Sequence, residues 1–237
     1  MDIINQGPFF TYSIRNDIST CILDFKQFTE YEKFIPFVKE MFIEIQKKNI
    51  KNLIIDLRSN GGGNSALGDE LFQYISPAPF AQFGDVTTRY SNNVRDFYSK
   101  GKNNIDNLPK EDVTVHYKAD SSRLIPLRNN PLRFAGKGNV YVLTSINTFS
   151  SAGAFSWTFQ YFNMGKIVGE ETGGHIVSFG DNIGHVMPNS LIRIGSSWKK
   201  FYGYGATDEH THGTIPDYPV PADEALDFTI NKLILNN

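Results

Sequence analysis

The sequence predicts an α/β domain with a mainly parallel sheet, because a strand, a loop and a helix follow one another twice. The first unit runs from "NLIIDL" (52–57) through "RSNGGGN" into "SALGDELFQYI". The second runs from "NVYVLTS" (139–145) through "INTF" into "SSAGAFSWTFQYF", and is followed by "KIVGEETGG". Both strands are short continuous apolar runs, the mark of strands buried on two faces. At 237 residues, 40% of them hydrophobic and 20% charged, the chain suits one large domain with a sizeable core.

The remaining elements follow in order. "FFTYSI" and "STCILDF" read as strands of a hairpin around Arg15–Asn16–Asp17. In "TEYEKFIPFVKEMFIEIQKKN", Phe34, Val38, Met41 and Ile45 recur at helical spacing, and Thr29 with Glu32 fits a capping box. Pro36 conflicts with a helix interior, so the regular helix is expected to begin near it, with Pro36 in the first turn. Residues 76–137 are polar with scattered aromatics and few periodic runs. They read as an insertion between the two units, either a cap or lid over the site or a plain surface excursion. "DNIGHVMPNSLIRIGSSWKKF" predicts a hairpin turning at Pro188–Asn189–Ser190, and "DEALDFTINKLIL" a closing helix.

Charge and composition exclude several classes. A net charge of −2 gives no electrostatic case for nucleic acid or an anionic membrane as partner. The single cysteine, Cys21, excludes an internal disulfide and a Cys-rich metal site. No stretch reaches the roughly 18 apolar residues of a membrane span, and the first residues lack the pattern of a signal peptide.

Three motifs bear on chemistry. Gly61, Gly62 and Gly63 sit at a strand's carboxyl end, where glycines let backbone N–H groups point inward. The Lys-Ser/Thr of a P-loop and the spacing of a dinucleotide fingerprint are both missing, which leaves an oxyanion-binding loop or a tight turn. Ser150 lies between a strand and a helix, as nucleophiles of α/β enzymes do, and the N–H of Ser151 would follow it into an oxyanion hole. The competing reading is that Ser150 only caps the helix. A serine nucleophile needs a base. Of His116, His175, His185, His210 and His212, His175 is best placed, ending "GEETGGH" after the strand that follows the Ser150 helix. His185 falls in a predicted strand. His210 and His212 form a His-x-His in a polar turn, for which no third metal ligand is placed by the sequence.

Together "NLIIDLRSNGGGN", "VYVLTSINTFSSAGAF", "KIVGEETGG" and "HGTIPDYPV" resemble, in order, blocks of the catalytic domain of the S41 serine peptidases, which include the C-terminal processing peptidases and the tricorn core peptidase. The resemblance runs from about Thr20 to the C-terminus and is weakest through 76–137. It implies a ClpP/crotonase-like fold, with Ser150 as nucleophile and Ser151 and the glycines, Gly62 the best single match, as oxyanion donors. It implies a peptide or protein substrate and neither metal nor cofactor. The family often carries a PDZ domain and enters the cell envelope or is secreted, and neither a PDZ domain nor a signal sequence is visible here.

The departures concern the base. His175 stands where the processing peptidases have the lysine of a Ser–Lys dyad, and histidine is competent there, with an ordinary pKa near 6.5 against about 10.4 for lysine. Gly153 replaces the acid that ends the family's serine block. Asp24 stands where tricorn-type relatives have an early histidine, and His210 near the position of their late glutamate, which makes His210 the second candidate base or an orienting partner. The resulting expectation is a single catalytic domain over 1–237, a serine endopeptidase using Ser150 and His175. The alternative is an inactive domain of the same fold that binds a peptide or hydrophobic ligand. A crotonase-like acyl-CoA enzyme is a third reading, disfavoured by the serine block.

Overall fold

A computed structural model describes residues 2–5, 8–101, 108, 109, 112–118 and 124–236. Its main sheet has seven strands in the order β1-β2-β3-β4-β7-β8-β11. The strands are β1 (Asp2–Asn5), β2 (Phe10–Arg15), β3 (Thr20–Phe25), β4 (Asn52–Asp56), β7 (Asn139–Thr144), β8 (Lys166–Gly169) and β11 (Tyr218–Pro219). β1, β2 and β3 are antiparallel, and β3, β4, β7, β8 and β11 are parallel. The predicted hairpin is thus β2–β3, closed by a 3-10 turn over Asn16–Ile18.

Alternation along the parallel strands builds two cores. Leu53, Ile55, Val140, Val142 and Ile167 face helices α1 (Tyr31–Lys47), α2 (Ala66–Ile75) and α4 (Ser151–Tyr161). Ile54, Tyr141, Leu143 and Val168 face the other way, against the short helix α5 (Ala225–Phe228) and the π-helical turn Thr229–Ile234 that continues it. This is why both faces of β4 and β7 are apolar.

Helix α1 departs from expectation at its start. It begins at Tyr31, with Glu30 as N-cap in the left-handed region (φ 54°) and no side-chain cap bond, so the Thr29–Glu32 box does not form and Pro36 lies inside the helix. A proline there removes one intrahelical bond. Phe34 offsets the loss: its ring stacks on Phe25 at 4.9 Å and meets Phe10 edge-on at 5.2 Å, which draws the first turn into the core.

Residues 76–137 are more regular than their composition implies. They supply β5 (Phe83–Tyr90), α3 (Asn92–Lys100) and β6 (Val113–Tyr117), while 102–107, 110, 111 and 119–123 lie outside the described residues. β5 pairs with β10 (Arg193–Gly203), and β10 with β9 (Val177–Val186), giving a second, antiparallel sheet ordered β6-β5-β10-β9. The hairpin predicted around Pro188 is β9–β10, and it pairs with the inserted segment. That pairing is remote in sequence, so local periodicity carries little trace of it. Among the described residues no helix is long and apolar enough to cross a membrane.

Candidate active site

Three adjacent parallel strands deliver three loops to one place. Asp56 of β4 pairs with Leu143 of β7, and Thr144 of β7 with Gly169 of β8. Their carboxyl ends therefore lie side by side, the position where α/β sheets bind ligands. The glycine loop leaves β4, the Ser150 turn leaves β7, and the loop to His175 leaves β8.

Ser150 is the N-cap of α4 but makes no side-chain cap bond, and its backbone sits at φ 53°, ψ −123°. That region costs a non-glycine residue about 1–3 kcal/mol and persists only where neighbours enforce it. The neighbours are identifiable. Phe149 N–H donates to the Asn60 carbonyl at 2.9 Å, Gly174 N–H to the Thr148 carbonyl at 3.0 Å, and Ala154 N–H to the Ser150 carbonyl at 2.9 Å. The Thr148 hydroxyl donates to the Leu57 carbonyl at 2.8 Å.

Glycines line this turn because nothing larger fits. A Cβ on Gly62 (φ +98°) would lie 2.6 Å from Ser150 Cβ and 2.8 Å from Ser151 N. A Cβ on Gly174 would lie 2.8 Å from Ser150 N. Gly153 answers in kind: a Cβ there would meet the Gly174 carbonyl at 3.0 Å, which gives a physical reason why no acidic side chain stands at that position.

The donor inventory of the glycine loop is specific. Gly62 N–H donates to Asn60 Oδ1 at 2.9 Å. Among the described residues the N–H groups of Gly61, Gly63 and Ser151 have no such acceptor. The Ser151 hydroxyl donates to the Gly63 carbonyl at 2.6 Å, fastening the loop to the first turn of α4. Ser156 lies deeper in the helix, buried, with its hydroxyl bonded to the Ala152 carbonyl at 2.9 Å.

Gly63, Ser150, Ser151 and His175 line one cavity of about 690 Å³, roofed by the second sheet. Phe83, Phe149, Phe179 and Phe201 supply apolar wall, and Lys199 and Lys200 the cationic part. Each lysine has an acid: Lys199 pairs with Asp181 at 2.7 Å, and Lys200 with Asp208, which also accepts from the Tyr202 hydroxyl at 2.9 Å. The Lys200 ammonium, then the Tyr202 hydroxyl, hold Asp208 below the usual carboxylate range, and Asp208 in turn raises Lys200. Lys200 is therefore held charged.

The histidines separate. His175 is exposed at the cavity, and its backbone bridges Gly213. His210 is engaged elsewhere: Nδ1 accepts from Thr207 N–H at 3.1 Å, and the ring meets Trp157 edge-on at 5.4 Å. It is not among the cavity's lining residues, although Asp208 and Thr211 of the same loop are. His116 meets the Thr87 hydroxyl in the second sheet, His185 is in β9, and His212 Nδ1 is 2.6 Å from the Gly213 carbonyl. Asp24, at the end of β3, pairs with Lys26 at 3.2 Å. Among the described residues no three His, Cys, Asp or Glu side chains gather as metal ligands do.

Sequence reasoning passed over Lys199, Lys200 and Asn60. The two lysines carry no signal without knowledge of how β10 folds over the site. Asn60 did carry one, standing directly before the glycines in the quoted motif.

Residues 19–220 match the family model described as peptidase family S41. Solved structures share the fold. A putative peptidase from Parabacteroides merdae matches at 17% identity and TM-score 0.59, over 100% of this chain and 67% of that one. A putative S41 protease from Bacteroides fragilis matches at 18% and 0.55, over 96% and 55%. A photosystem II D1 C-terminal processing protease matches at 17% and 0.50, over 86% and 43%. The chain thus spans 43% to 67% of the length of these three proteins.

Proposed function

The chain belongs to peptidase family S41, and from that membership we propose that it is a serine endopeptidase of ClpP/crotonase-like fold whose nucleophile is Ser150 and whose general base is His175. The observation that carries this reading is the backbone of Ser150, held at φ 53° at the head of a helix and on the wall of a cavity it shares with His175. A residue that only capped the helix would accept a bond from the first turn, and this hydroxyl accepts none.

In the proposed reaction Ser150 Oγ attacks the scissile carbonyl while His175 takes its proton. The Ser151 N–H and one glycine N–H bind the resulting oxyanion. Gly63 is favoured over Gly62, because the Gly62 N–H already serves Asn60 Oδ1. His175 then protonates the departing amine, and water releases the acyl group by the same steps in reverse. The phenylalanines of the cavity would receive apolar side chains of the peptide.

A second reading draws on one observation: among the described residues nothing hydrogen-bonds the His175 ring, so no third group orients it as triads require. A domain of this kind would bind a peptide or apolar ligand without cleaving it. A fluorophosphonate probe separates the two. Labelling of the folded chain that disappears in Ser150→Ala supports the peptidase. A folded chain that never labels, yet binds peptide, sinks it.

A further inference from the structure

Asn60 is fully buried, and its carboxamide and main chain together join three segments that meet at the site. Nδ2 donates to the Phe25 carbonyl at the end of β3 at 2.7 Å, and Oδ1 accepts the Gly62 N–H at 2.9 Å. Its own carbonyl accepts the N–H of Phe149, the residue before Ser150, at 2.9 Å, and its N–H donates to Leu57 at 3.0 Å. One partner of the carboxamide is a carbonyl and the other an N–H, so the orientation of the amide is fixed by the network.

We infer that Asn60 is a positioning residue that sets the distance between the nucleophile's turn and the oxyanion donors, an inference that rests on the peptidase reading of Ser150. By occupying the Gly62 N–H it turns the next peptide unit, and so the Gly63 N–H becomes the donor left for substrate. The bond of the carboxamide to Phe25 anchors the main chain at residue 60, whose carbonyl holds Phe149 and with it the turn in which Ser150 keeps its unfavourable backbone. Oxyanion stabilisation depends on donors set in advance at about 3 Å from the developing charge, so a residue whose carboxamide holds the donor loop and whose main-chain carbonyl holds the Ser150 turn governs the rate. No smaller or singly functional side chain can replace it, since the site calls for one donor and one acceptor on a planar group of this length.

Asn60→Asp tests this without changing the shape. A protonated carboxyl can still donate to Phe25 and accept from Gly62, whereas the ionised form sets an anion against the Phe25 carbonyl, and burial raises its pKa. Fluorophosphonate labelling, counted per folded molecule, should fall about 10²-fold at about pH 8. The variant-to-wild-type ratio should then rise about 10-fold or more on going to about pH 5.5, as the carboxyl takes up its proton. A ratio flat with pH, or a rate equal to wild type, overturns the proposal, because a purely structural role would lower stability alone. If Asn60→Asp does not fold, Asn60→Ser carries the same rate comparison.

Amide hydrogen exchange keeps the two readings apart. If wild type never labels, the peptidase reading has failed. The positioning of the loops is then decided by Asn60→Ser, in which the Gly62 amide loses its acceptor and should exchange about 10-fold faster or more. The Phe149 amide, whose main-chain acceptor is kept but no longer anchored, should also exchange faster, while that of Ile55 in β4 is unchanged. Equal protection in both proteins overturns the role of Asn60 whether or not the chain labels.

Discussion

The Ser151 hydroxyl donates to the Gly63 carbonyl at 2.6 Å, so the residue after Ser150 holds the loop that faces it. This bond ties the glycine loop to the head of α4. Ser151→Ala keeps the backbone N–H and removes only the tether. The expected effect is modest: kcat lower by about 3- to 10-fold with KM unchanged, the scale of one neutral hydrogen bond. A wild-type kcat would show that the loop needs no such tie.

Gly62→Ala is the severe counterpart. The new methyl would lie 2.6 Å from Ser150 Cβ and 2.7 Å from the Phe149 carbonyl, at φ +98°. Labelling should fall about 10²-fold or more as the donor loop is pushed away. Thermal unfolding should show about 1–3 kcal/mol of destabilisation from backbone strain. An alanine variant that labels at the wild-type rate would place the oxyanion site elsewhere.

The two histidine candidates predict opposite mutants. His175→Ala should lower kcat/KM by about 10²- to 10⁴-fold, the usual worth of a positioned base. His210→Ala loses a contact with Trp157 and a turn hydrogen bond, and should stay within a few-fold of wild type. Steady-state kinetics on one peptide substrate decides between them, and the reverse ranking would transfer the base to His210.

Asp69 predicts a pH-dependent gain. Burial raises its carboxyl pKa, against the lowering effect of the Gln82 amide that donates to it at 2.8 Å. The folded state therefore holds its proton to higher pH than the unfolded chain, whose carboxyl titrates near about 3.9, and stability falls as pH rises through that interval. Asp69→Asn keeps an acceptor for Gln82 and removes the ionisation. Its Tm should lie above wild type at pH 7, and the gap should close as pH falls toward about 4. A Tm difference that does not vary with pH refutes this.

In α4, the helix that Ser150 precedes, Phe155 is fully buried and stacks on Phe72 at 4.3 Å. Phe155→Ala should cost about 3–5 kcal/mol in denaturant unfolding. A loss under about 1 kcal/mol would mean that α4 is held mainly by its loops rather than by this core.

What the sequence made legible was local. β4 and β7 stand out because strands buried on both faces read as unbroken apolar runs, and the loops that follow them and β8 carry Gly63, Ser150 and His175 in plain view. Two features were not legible. α1 starts five residues before Pro36, because the fit of Phe34 between Phe10 and Phe25 outweighs a rule about proline that considers one helix alone. The second sheet depends on β5 meeting β10 across more than a hundred residues, so the lysines and phenylalanines that it brings over the site have no local signature. Nearness to a motif put His210 forward, and the motif does not reveal that its ring meets the edge of Trp157, a contact remote in sequence.

The backbone angles of Ser150, φ 53° and ψ −123°, are ones that glycine adopts with ease and serine does not. Stability and chemistry thus make opposite demands on a single position. A mutation to glycine would relax the turn and silence the proposed reaction in one step, leaving a sound fold with an intact cavity. Heat resistance is accordingly a poor guide to activity among chains of this kind: the firmer of two otherwise similar proteins can be the one that has lost its hydroxyl.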